Sequence, residues 1–200
     1  TSAANVTLYA TCTVNSYTVT LNKGTGIDSV TGAGTYEYGK SVTINATAKT
    51  GYTFKDWTGT KASAEKEYTF TMPAGNVTNT ANATANTYQI AYNANTGSGT
   101  TMSNSSHTYD ASKTLTKNTY TRTGYTFLGW NTNKDATTAT YQDEASVKNL
   151  SSTNGATVTL YAIWKINTYT VTYKVDGVVY GEIESKKVVK LGENRECFKC

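Results

Sequence analysis

Several residue types on which enzymes and disulfide-stabilised domains depend are scarce in this 200-residue chain. It contains one histidine, three cysteines and one proline, and only 16% of its residues are charged. A single histidine removes most Ser/His/Asp and Cys/His catalytic arrangements, and three cysteines imply no disulfide framework. We therefore expect no catalytic residues and no enzymatic activity.

Long apolar runs are missing too. The sequence has no stretch of about 18 apolar residues, which argues against a transmembrane helix, and no charged and then apolar start of the kind that marks a signal peptide. The net charge of +4 is spread along the chain, with one basic cluster at Lys186, Lys187 and Lys190. Nucleic-acid binding needs basic residues gathered on one surface. We expect neither membrane insertion by this segment nor a nucleic-acid partner.

The cysteines form no complete metal site. Cys197 and Cys200 have the spacing of half a zinc site, but zinc normally takes four ligands. The other candidates, Cys12 and His107, are far away in the sequence, and the Ser- and Asn-rich surroundings of His107 predict a loop. A redox Cys-x-x-Cys motif belongs near a βαβ pattern, which is absent. We expect no metal and no cofactor, while a role for the three cysteines stays open.

Threonine and tyrosine dominate the residues that are present, and they alternate. The chain has 16 tyrosines against 4 phenylalanines, and Thr and Tyr favour strands. Tyr169, Val171 and Tyr173 share one face while threonines share the other, which is the period of a half-buried strand. The same alternation recurs at 17–21, 42–46, 68–72 and 88–92. The pattern predicts a mainly β protein, α+β at most, with one short helix between Gln142 and Leu150.

The strongest signal is a repeat. Gly51-Tyr-Thr-Phe-Lys-Asp-Trp57 returns as Gly124-Tyr-Thr-Phe-Leu-Gly-Trp130. Alternating strands open at Tyr17, Tyr88 and Tyr169, which are 71 and 81 residues apart. These periods exceed those of solenoids, and a unit of this length can hold a modest core of its own. We expect separate domains in series.

The repeat also sets the predicted domain boundaries. They give the tail of a preceding repeat at 1–15, complete units at 16–86 and 87–166, and an incomplete third repeat with a divergent tail at 167–200. The segment that closes the second unit, 157–164, has apolar residues on both faces, which is typical of a central strand. Because no third Gly-Tyr-Thr-Phe segment appears, we expect the chain to be part of a longer array.

The repeated aromatic segment imposes a geometric requirement. Tyr125 and Phe127 share one face of a strand, whereas Trp130, three residues further on, points away unless the strand bulges. We predict a bulge at Leu128-Gly129, and at Lys55-Asp56 in the first unit. A recurring Trp beside such a strand anchors a small core; the alternative is an exposed platform that stacks on sugars or a peptide. The predicted core anchors are Tyr52, Phe54, Trp57, Tyr125, Phe127, Trp130 and Trp164.

These motifs carry a family resemblance. TYTRTGYTFLGWNTNKDATTATY followed by TVTLYAIW resembles the InlB B-repeat, also called the Listeria–Bacteroides repeat, over residues 87–166. YEYGKSVTINATAKTGYTFKDW followed by YTFTMPAGNVT resembles the divergent form of that repeat over residues 16–86. The resemblance implies tandem β-grasp-like modules, each a twisted antiparallel or mixed sheet, without catalytic residues. Two departures stand out: Cys12 and Ala83 replace the closing Trp164, and threonine disappears after about Ile183.

The resemblance also implies a role. Such modules extend secreted or wall-anchored bacterial proteins from the surface and, in some members, contact host or neighbouring-cell molecules. We therefore interpret the chain as a non-catalytic extracellular stalk or spacer of the cell surface or cell wall, with adhesion to a surface protein or glycan that each unit binds weakly. Two alternatives stay open: a glycan- or peptide-binding module that uses exposed Tyr and Thr faces, and an accessory domain of a secreted hydrolase.

Overall fold

The computed structural model describes residues 5–175 and 177–185, which form fifteen β-strands and no helix. The mainly β prediction is confirmed. The chain divides into two compact units, the first ending at Asn86 with 152–154 added, and the second formed by the residues from Thr87 to Ser151 and from Gly155 onward. Within the described ranges, no helix has the length and apolar character needed to cross a membrane.

The first unit contains seven strands in two sheets. They are β1 (Ser16–Lys23), β2 (Ile27–Thr31), β3 (Gly34–Glu37), β4 (Ser41–Ala48), β5 (Tyr52–Gly59), β6 (Glu67–Thr71) and β7 (Val77–Ala85). One sheet has the order β3-β1-β7-β5, in which β1 and β7 are parallel. The other has the order β2-β4-β6 and is antiparallel. Thus one parallel pair lies at the centre of an otherwise antiparallel arrangement.

Alternation builds the core of the first unit. Val42, Ile44 and Ala46 on β4 are buried, and the residues between them are partly or fully exposed. Both sheets contribute to one cluster: Val19, Ile27, Val42, Ile44, Ala46, Trp57, Phe70, Met72, Val77 and Ala81. Threonines occupy the opposite faces, where Thr43 and Thr69 join across β4 and β6 through their hydroxyl groups at 2.8 Å. The unit is a small apolar core between two polar surfaces.

The second unit contains the other eight strands. They are β8 (Thr87–Asn93), β9 (Ser105–Thr108), β10 (Lys113–Thr114), β11 (Tyr125–Asn131), β12 (Ser146–Val147), β13 (Thr157–Ile166), β14 (Tyr169–Val175) and β15 (Val178–Ser185). The main sheet has the order β11-β13-β8-β9, with β8 and β13 parallel. β10 pairs with β12, and β14 pairs with β15 as a hairpin. The core cluster consists of Tyr88, Ile90, Tyr92, Met102, Leu115, Tyr120, Trp130, Val147, Leu160 and Ala162.

The two main sheets have the same topology. In each, the strand that opens the unit (β1 or β8) lies parallel to the strand that closes it (β7 or β13), and the closing strand pairs antiparallel with the Gly-Tyr-Thr-Phe strand (β5 or β11). β13 is a central strand, and Leu160, Ala162 and Ile163 are buried on both of its faces, as the sequence predicted. We call these three elements the opening, closing and Tyr-Thr-Phe strands.

The helix predicted between Gln142 and Leu150 is wrong. The segment contains a turn followed by β12, which pairs with β10. Glu144 and Asn149 have φ values of 54° and 58°, in the left-handed region that interrupts a right-handed helix. Val147 is buried in the core. Tertiary burial of this one apolar side chain outweighs a weak local helical preference.

Both predicted bulges are confirmed. The pairing of β11 with β13 shifts register between Phe127 and Gly129, and the pairing of β5 with β7 shifts between Phe54 and Asp56. Gly129 has a φ of 132°, and a Cβ there would collide with the carbonyl oxygen of Tyr141. The extra residue turns each Trp back to the face of the preceding Phe, so the bulge is what brings the indole into the core.

Candidate functional site

In the first unit the repeated aromatic segment is part of the core. Trp57 is 1% exposed, and its Nε1 donates a hydrogen bond to the carbonyl oxygen of Lys66 at 3.2 Å. Phe54 is half-buried with its ring centroid 6.0 Å from that of Trp57. Tyr52 is half-buried and packs so closely over Gly26 that a Cβ on that glycine would overlap its ring.

The second unit repeats this arrangement with more aromatic rings. Trp130 is fully buried, with ring centroids 5.0 Å from Tyr92 and 5.1 Å from Phe127. Trp164 is half-buried, lies 5.5 Å from Phe127, and donates from Nε1 to the carbonyl oxygen of Ala94 at 2.9 Å. Tyr125 is half-buried under the guanidinium of Arg122, 3.6 Å from its ring centroid.

The burial of these rings distinguishes between a Trp that anchors the core and a Trp that forms an exposed binding platform. The two indoles that recur in the repeat, Trp57 and Trp130, have no exposed face on which a sugar ring can stack. The exposed large apolar residues lie elsewhere and include Tyr38, at 56% exposure, and Tyr169, at 48%. A ligand that stacks on aromatic side chains therefore cannot use the indoles of Trp57 and Trp130.

The structure also shows a repeated contact that the sequence analysis missed. The backbone amide of Asn86 donates to the carbonyl oxygen of Gly51 at 2.8 Å, and the hydroxyl of Thr53 donates to Oδ1 of Asn86 at 2.6 Å. Asn86 is the single residue between β7 and β8. The end of the closing strand is thus fixed to the start of the Tyr-Thr-Phe strand by one backbone and one side-chain hydrogen bond.

The second unit makes the same contact at the same place. The amide of Asn167 donates to the carbonyl oxygen of Gly124 at 2.9 Å, and the hydroxyl of Thr126 donates to Oδ1 of Asn167 at 2.7 Å. We call this pair of hydrogen bonds the junction clamp. The signal for it was in the sequence, because an Asn precedes each opening Tyr by two residues, at Asn15, Asn86 and Asn167.

His107 does not lie in a loop, as its surroundings predicted, but on β9 with 1% exposure. Its ring stacks on Tyr88 with centroids 5.6 Å apart, and Nε2 hydrogen-bonds to the hydroxyl of Ser105 at 3.0 Å. Nδ1 has no partner among the described residues. Burial, and then the charge of Lys113, lower the pKa of His107 below its ordinary value. The lowered pKa favours the neutral imidazole, in which Nδ1 has no hydrogen-bond partner among the described residues.

A short network connects this histidine to the core. The Ser105 hydroxyl also forms a hydrogen bond with the Tyr92 hydroxyl at 3.1 Å. The hydroxyl oxygen of Tyr92 accepts a hydrogen bond from the backbone amide of Thr116 at 2.8 Å. The Tyr92 ring in turn packs against Trp130. Protonation of His107 therefore acts on the core of the second unit and not on an exposed surface.

Metal-ligating residues are dispersed. Within residues 5–175 and 177–185, no group of three or more His, Cys, Asp or Glu side chains is placed to hold a metal ion. Cys12 is exposed with a free thiol. Cys197 and Cys200, and the basic cluster at 186–190, lie outside the described residues.

Each unit has an open cleft among its described residues. In the first unit a cleft of about 610 Å³ is bordered by β4, the start of β5 and the loop before β6; its lining residues are Asn45, Ala46, Thr47, Ala48, Thr53, Phe54, Ala64, Glu65 and Lys66. In the second unit a cleft of about 490 Å³ lies beside the junction clamp, lined by Thr126, Leu128, Lys165, Ile166, Asn167, Thr168 and Tyr169. Both are shallow and polar at the rim, and both adjoin the Tyr-Thr-Phe strand.

Comparison with known families identifies both repeats. Residues 17–87 match the divergent InlB B-repeat domain, and residues 88–163 match the Listeria-Bacteroides repeat domain. The chain belongs to the InlB B-repeat family. The first match spans the strands of the first unit, the second covers the second unit as far as β13, and the bulged Trp, buried in each B-repeat, accounts for the recurrence of the Gly-Tyr-Thr-Phe-x-x-Trp motif.

Two curated relatives come from Evansella cellulosilytica. One, named "Putative membrane protein", is 30% identical over 173 residues, which is 84% of this chain and 25% of the relative. The other, named "Putative Gly-rich membrane protein", is 28% identical over 140 residues, which is 65% of this chain and 16% of the relative. The chain therefore spans a quarter or less of the length of these relatives.

Proposed function

We propose that these B-repeats form a non-catalytic spacer segment of a bacterial surface protein. The observation that carries the proposal is the distribution of apolar and polar side chains in each unit. Apolar side chains that include the repeated Trp fill one core per unit, and threonines and asparagines lie on the outer sheet faces. One clamped Asn then leads directly from the closing strand of the first unit into the opening strand of the second. Such a design supplies length by adding units.

The chemistry of the described residues supports the non-catalytic part of the proposal. General acid–base and nucleophilic catalysis need titratable groups gathered at a site that substrate can reach. The single histidine is buried beside Tyr88, and among the described residues its side chain hydrogen-bonds to the half-buried Ser105. Three carboxylates of the described residues lie within ion-pair distance of surface lysines, as Asp110 does with Lys148 at 3.5 Å.

The relatives support a surface location. Both are named as membrane proteins, and each is several times longer than this chain. A repeat segment within such a protein is suited to hold another domain away from the membrane. We propose the cell surface or cell wall as the location of this segment, and adhesion to a host or neighbouring-cell protein or glycan as an added role of the array.

Small-angle X-ray scattering tests the spacer role. We expect the maximum dimension of the two-unit chain to exceed that of residues 16–86 by about the length of one unit, and a chain extended by a further unit to add the same increment again. A maximum dimension that stays nearly constant as units are added contradicts the spacer function. Turnover of any substrate by the chain contradicts the non-catalytic assignment independently.

One observation favours ligand binding as a second function. The cleft of the first unit brings the half-buried ring of Phe54 together with Glu65, Lys66 and the amide of Asn45. An apolar ring with polar groups around it suits a glycan or an extended peptide. NMR titration with glycans and peptides tests it: shifts confined to the cleft residues, with an affinity that rises with unit number, support this function. Shifts scattered over the surface contradict it.

A further inference from the structure

Residues 5–15 repeat the closing strand without belonging to either unit. They align without a gap to 76–86 and to 157–167, at the same spacings as the opening tyrosines. The five residues Val6 to Ala10 are identical to Val158 to Ala162, which form the middle of β13. In this alignment Asn15 corresponds to the two clamp residues, Asn86 and Asn167. The segment has the sequence of a closing strand together with its clamp.

Its structural state does not match that sequence. Residues 5–15 form no strand, and each of them is exposed. Leu8 is 91% exposed and Tyr9 is 88% exposed, whereas Leu160, the counterpart of Leu8, is fully buried. The carbonyl oxygen of Asn15 accepts from the amide of Tyr38, yet its side chain has no hydrogen-bond partner in the described part of the chain. Four large apolar residues exposed within one short segment, Val6, Leu8, Tyr9 and Val14, mark an interaction surface.

The position that a closing strand occupies in each main sheet identifies the binding partner of residues 5–15. A closing strand lies between an opening strand, to which it is parallel, and a Tyr-Thr-Phe strand, to which it is antiparallel. In the first unit β7 fills this slot and in the second β13 fills it. Neither complete repeat has room for a second closing strand, and β14, the opening strand of the incomplete third repeat, pairs with β15 and with no Tyr-Thr-Phe strand among the described residues. A second copy of the chain therefore offers no complete slot for residues 5–15 while its own strands stay in position.

We propose that residues 5–15 dock as the closing strand of a further B-repeat placed ahead of Ser16. Val6, Leu8 and Ala10 then face the core of that repeat, as Val158, Leu160 and Ala162 do in β13. Cys12 takes the position of Trp164 on the same face, so its thiol becomes shielded. The amide and side chain of Asn15 complete a junction clamp with the Gly carbonyl and Thr hydroxyl of that repeat. This docking concerns how neighbouring repeats assemble, and it does not depend on the proposed spacer function.

A fusion protein tests the docking. Residues 87–156, which are the second B-repeat without its closing strand β13, are placed directly ahead of Asn5 in the otherwise complete chain. We expect the amides of residues 6–14 to exchange with solvent at least about a hundredfold more slowly than in the original chain. We also expect Cys12 to react with a maleimide at least about tenfold more slowly. Peptide mass spectrometry separates Cys12 from Cys197 and Cys200.

Two variants make the test decisive. Leu8→Asp in the fusion places a charge in the core position and is expected to restore fast exchange and fast labelling. Thr11→Ile together with Cys12→Trp gives the segment the residues of β13 at those positions. If this double variant is protected while the original segment stays exposed, the original segment is not a closing strand. If neither is protected, the equivalence of 5–15 with 157–167 is wrong, and the proposal fails with it.

Discussion

Trp57 and Trp130 occupy the same buried position in the two units but differ in one hydrogen bond. The indole nitrogen of Trp57 donates to the carbonyl oxygen of Lys66 at 3.2 Å. The indole nitrogen of Trp130 is buried without an acceptor among the described residues. A buried donor without a partner costs about 1–3 kcal/mol. The indole N–H of the motif therefore has a hydrogen-bond acceptor in the divergent repeat, and it has none among the described residues in the second repeat.

This difference predicts unequal effects of one substitution. Trp57→Phe removes ring volume and a hydrogen bond, whereas Trp130→Phe removes ring volume and an unpaired donor. We expect Trp57→Phe to lower the free energy of unfolding of its unit by about 1–2 kcal/mol more than Trp130→Phe does. Denaturant titration followed by the amide NMR signals of each unit measures both. Equal losses, or a larger loss for Trp130→Phe, contradict the role of the hydrogen bond.

Complete removal of the Trp130 ring tests its place in the core. Trp130→Ala deletes a side chain packed against Tyr92 and Phe127, so it is expected to cost about 3–5 kcal/mol and to unfold a marginal unit. The amide signals of residues 16–86 should persist, because that unit has its own core. An unchanged denaturation midpoint for the second unit would show that the ring is not a core anchor.

The junction clamp predicts a small, local effect. Thr53→Val and Thr126→Val each keep a β-branched side chain but remove the hydroxyl that donates to the Asn. We expect a loss of about 0.5–1.5 kcal/mol in the affected unit and faster exchange of the Asn86 or Asn167 amide. Thr84→Val is the matched control, because Thr84 is exposed opposite Thr53 in the register of β5 and β7. Equal effects of Thr53→Val and the control would remove the energetic basis of the clamp.

His107 predicts a pH dependence confined to the second unit. Burial lowers its pKa in the folded state, so below the unfolded-state pKa of about 6.5 the unfolded chain binds the additional proton. The stability of this unit is then complete above that pH and falls as the pH decreases from it. Thermal unfolding between neutral pH and pH 5 measures the effect. His107→Gln should abolish this slope, and a slope that survives the substitution must come from another group.

The sequence predicted the features that depend on local periodicity. Two apolar side chains at positions 125 and 127, with an indole three residues later, require a bulge whatever the rest of the fold does, and the register shifts confirm one at each site. Alternation likewise predicted the buried faces of β4 and β8. The resemblance of the motif strings around each Gly-Tyr-Thr-Phe segment was enough to suggest the family.

Features set by distant contacts were not accessible in this way. Val147 enters the core because β10 and β12 pair, and nothing within 142–150 signals that pairing. His107 is buried through its stacking on Tyr88, nineteen residues earlier in the chain. The junction clamp joins Thr53 to Asn86 across the unit. Its one sequence signal, the Asn before each opening Tyr, has a physical meaning only once the strands are paired.

Stretching single molecules of the chain tests most directly the claim that it is a series of self-contained repeats. A unit of roughly 70–80 residues at 3.3–3.6 Å per residue has a contour length of roughly 230–290 Å when unfolded, and its unfolding releases that length less the end-to-end distance of the folded unit. Two independent units predict two separate force steps of that size, with Trp130→Ala removing one step and leaving the other unchanged. One step that releases the length of both units together would show a single cooperative domain and contradict the claim.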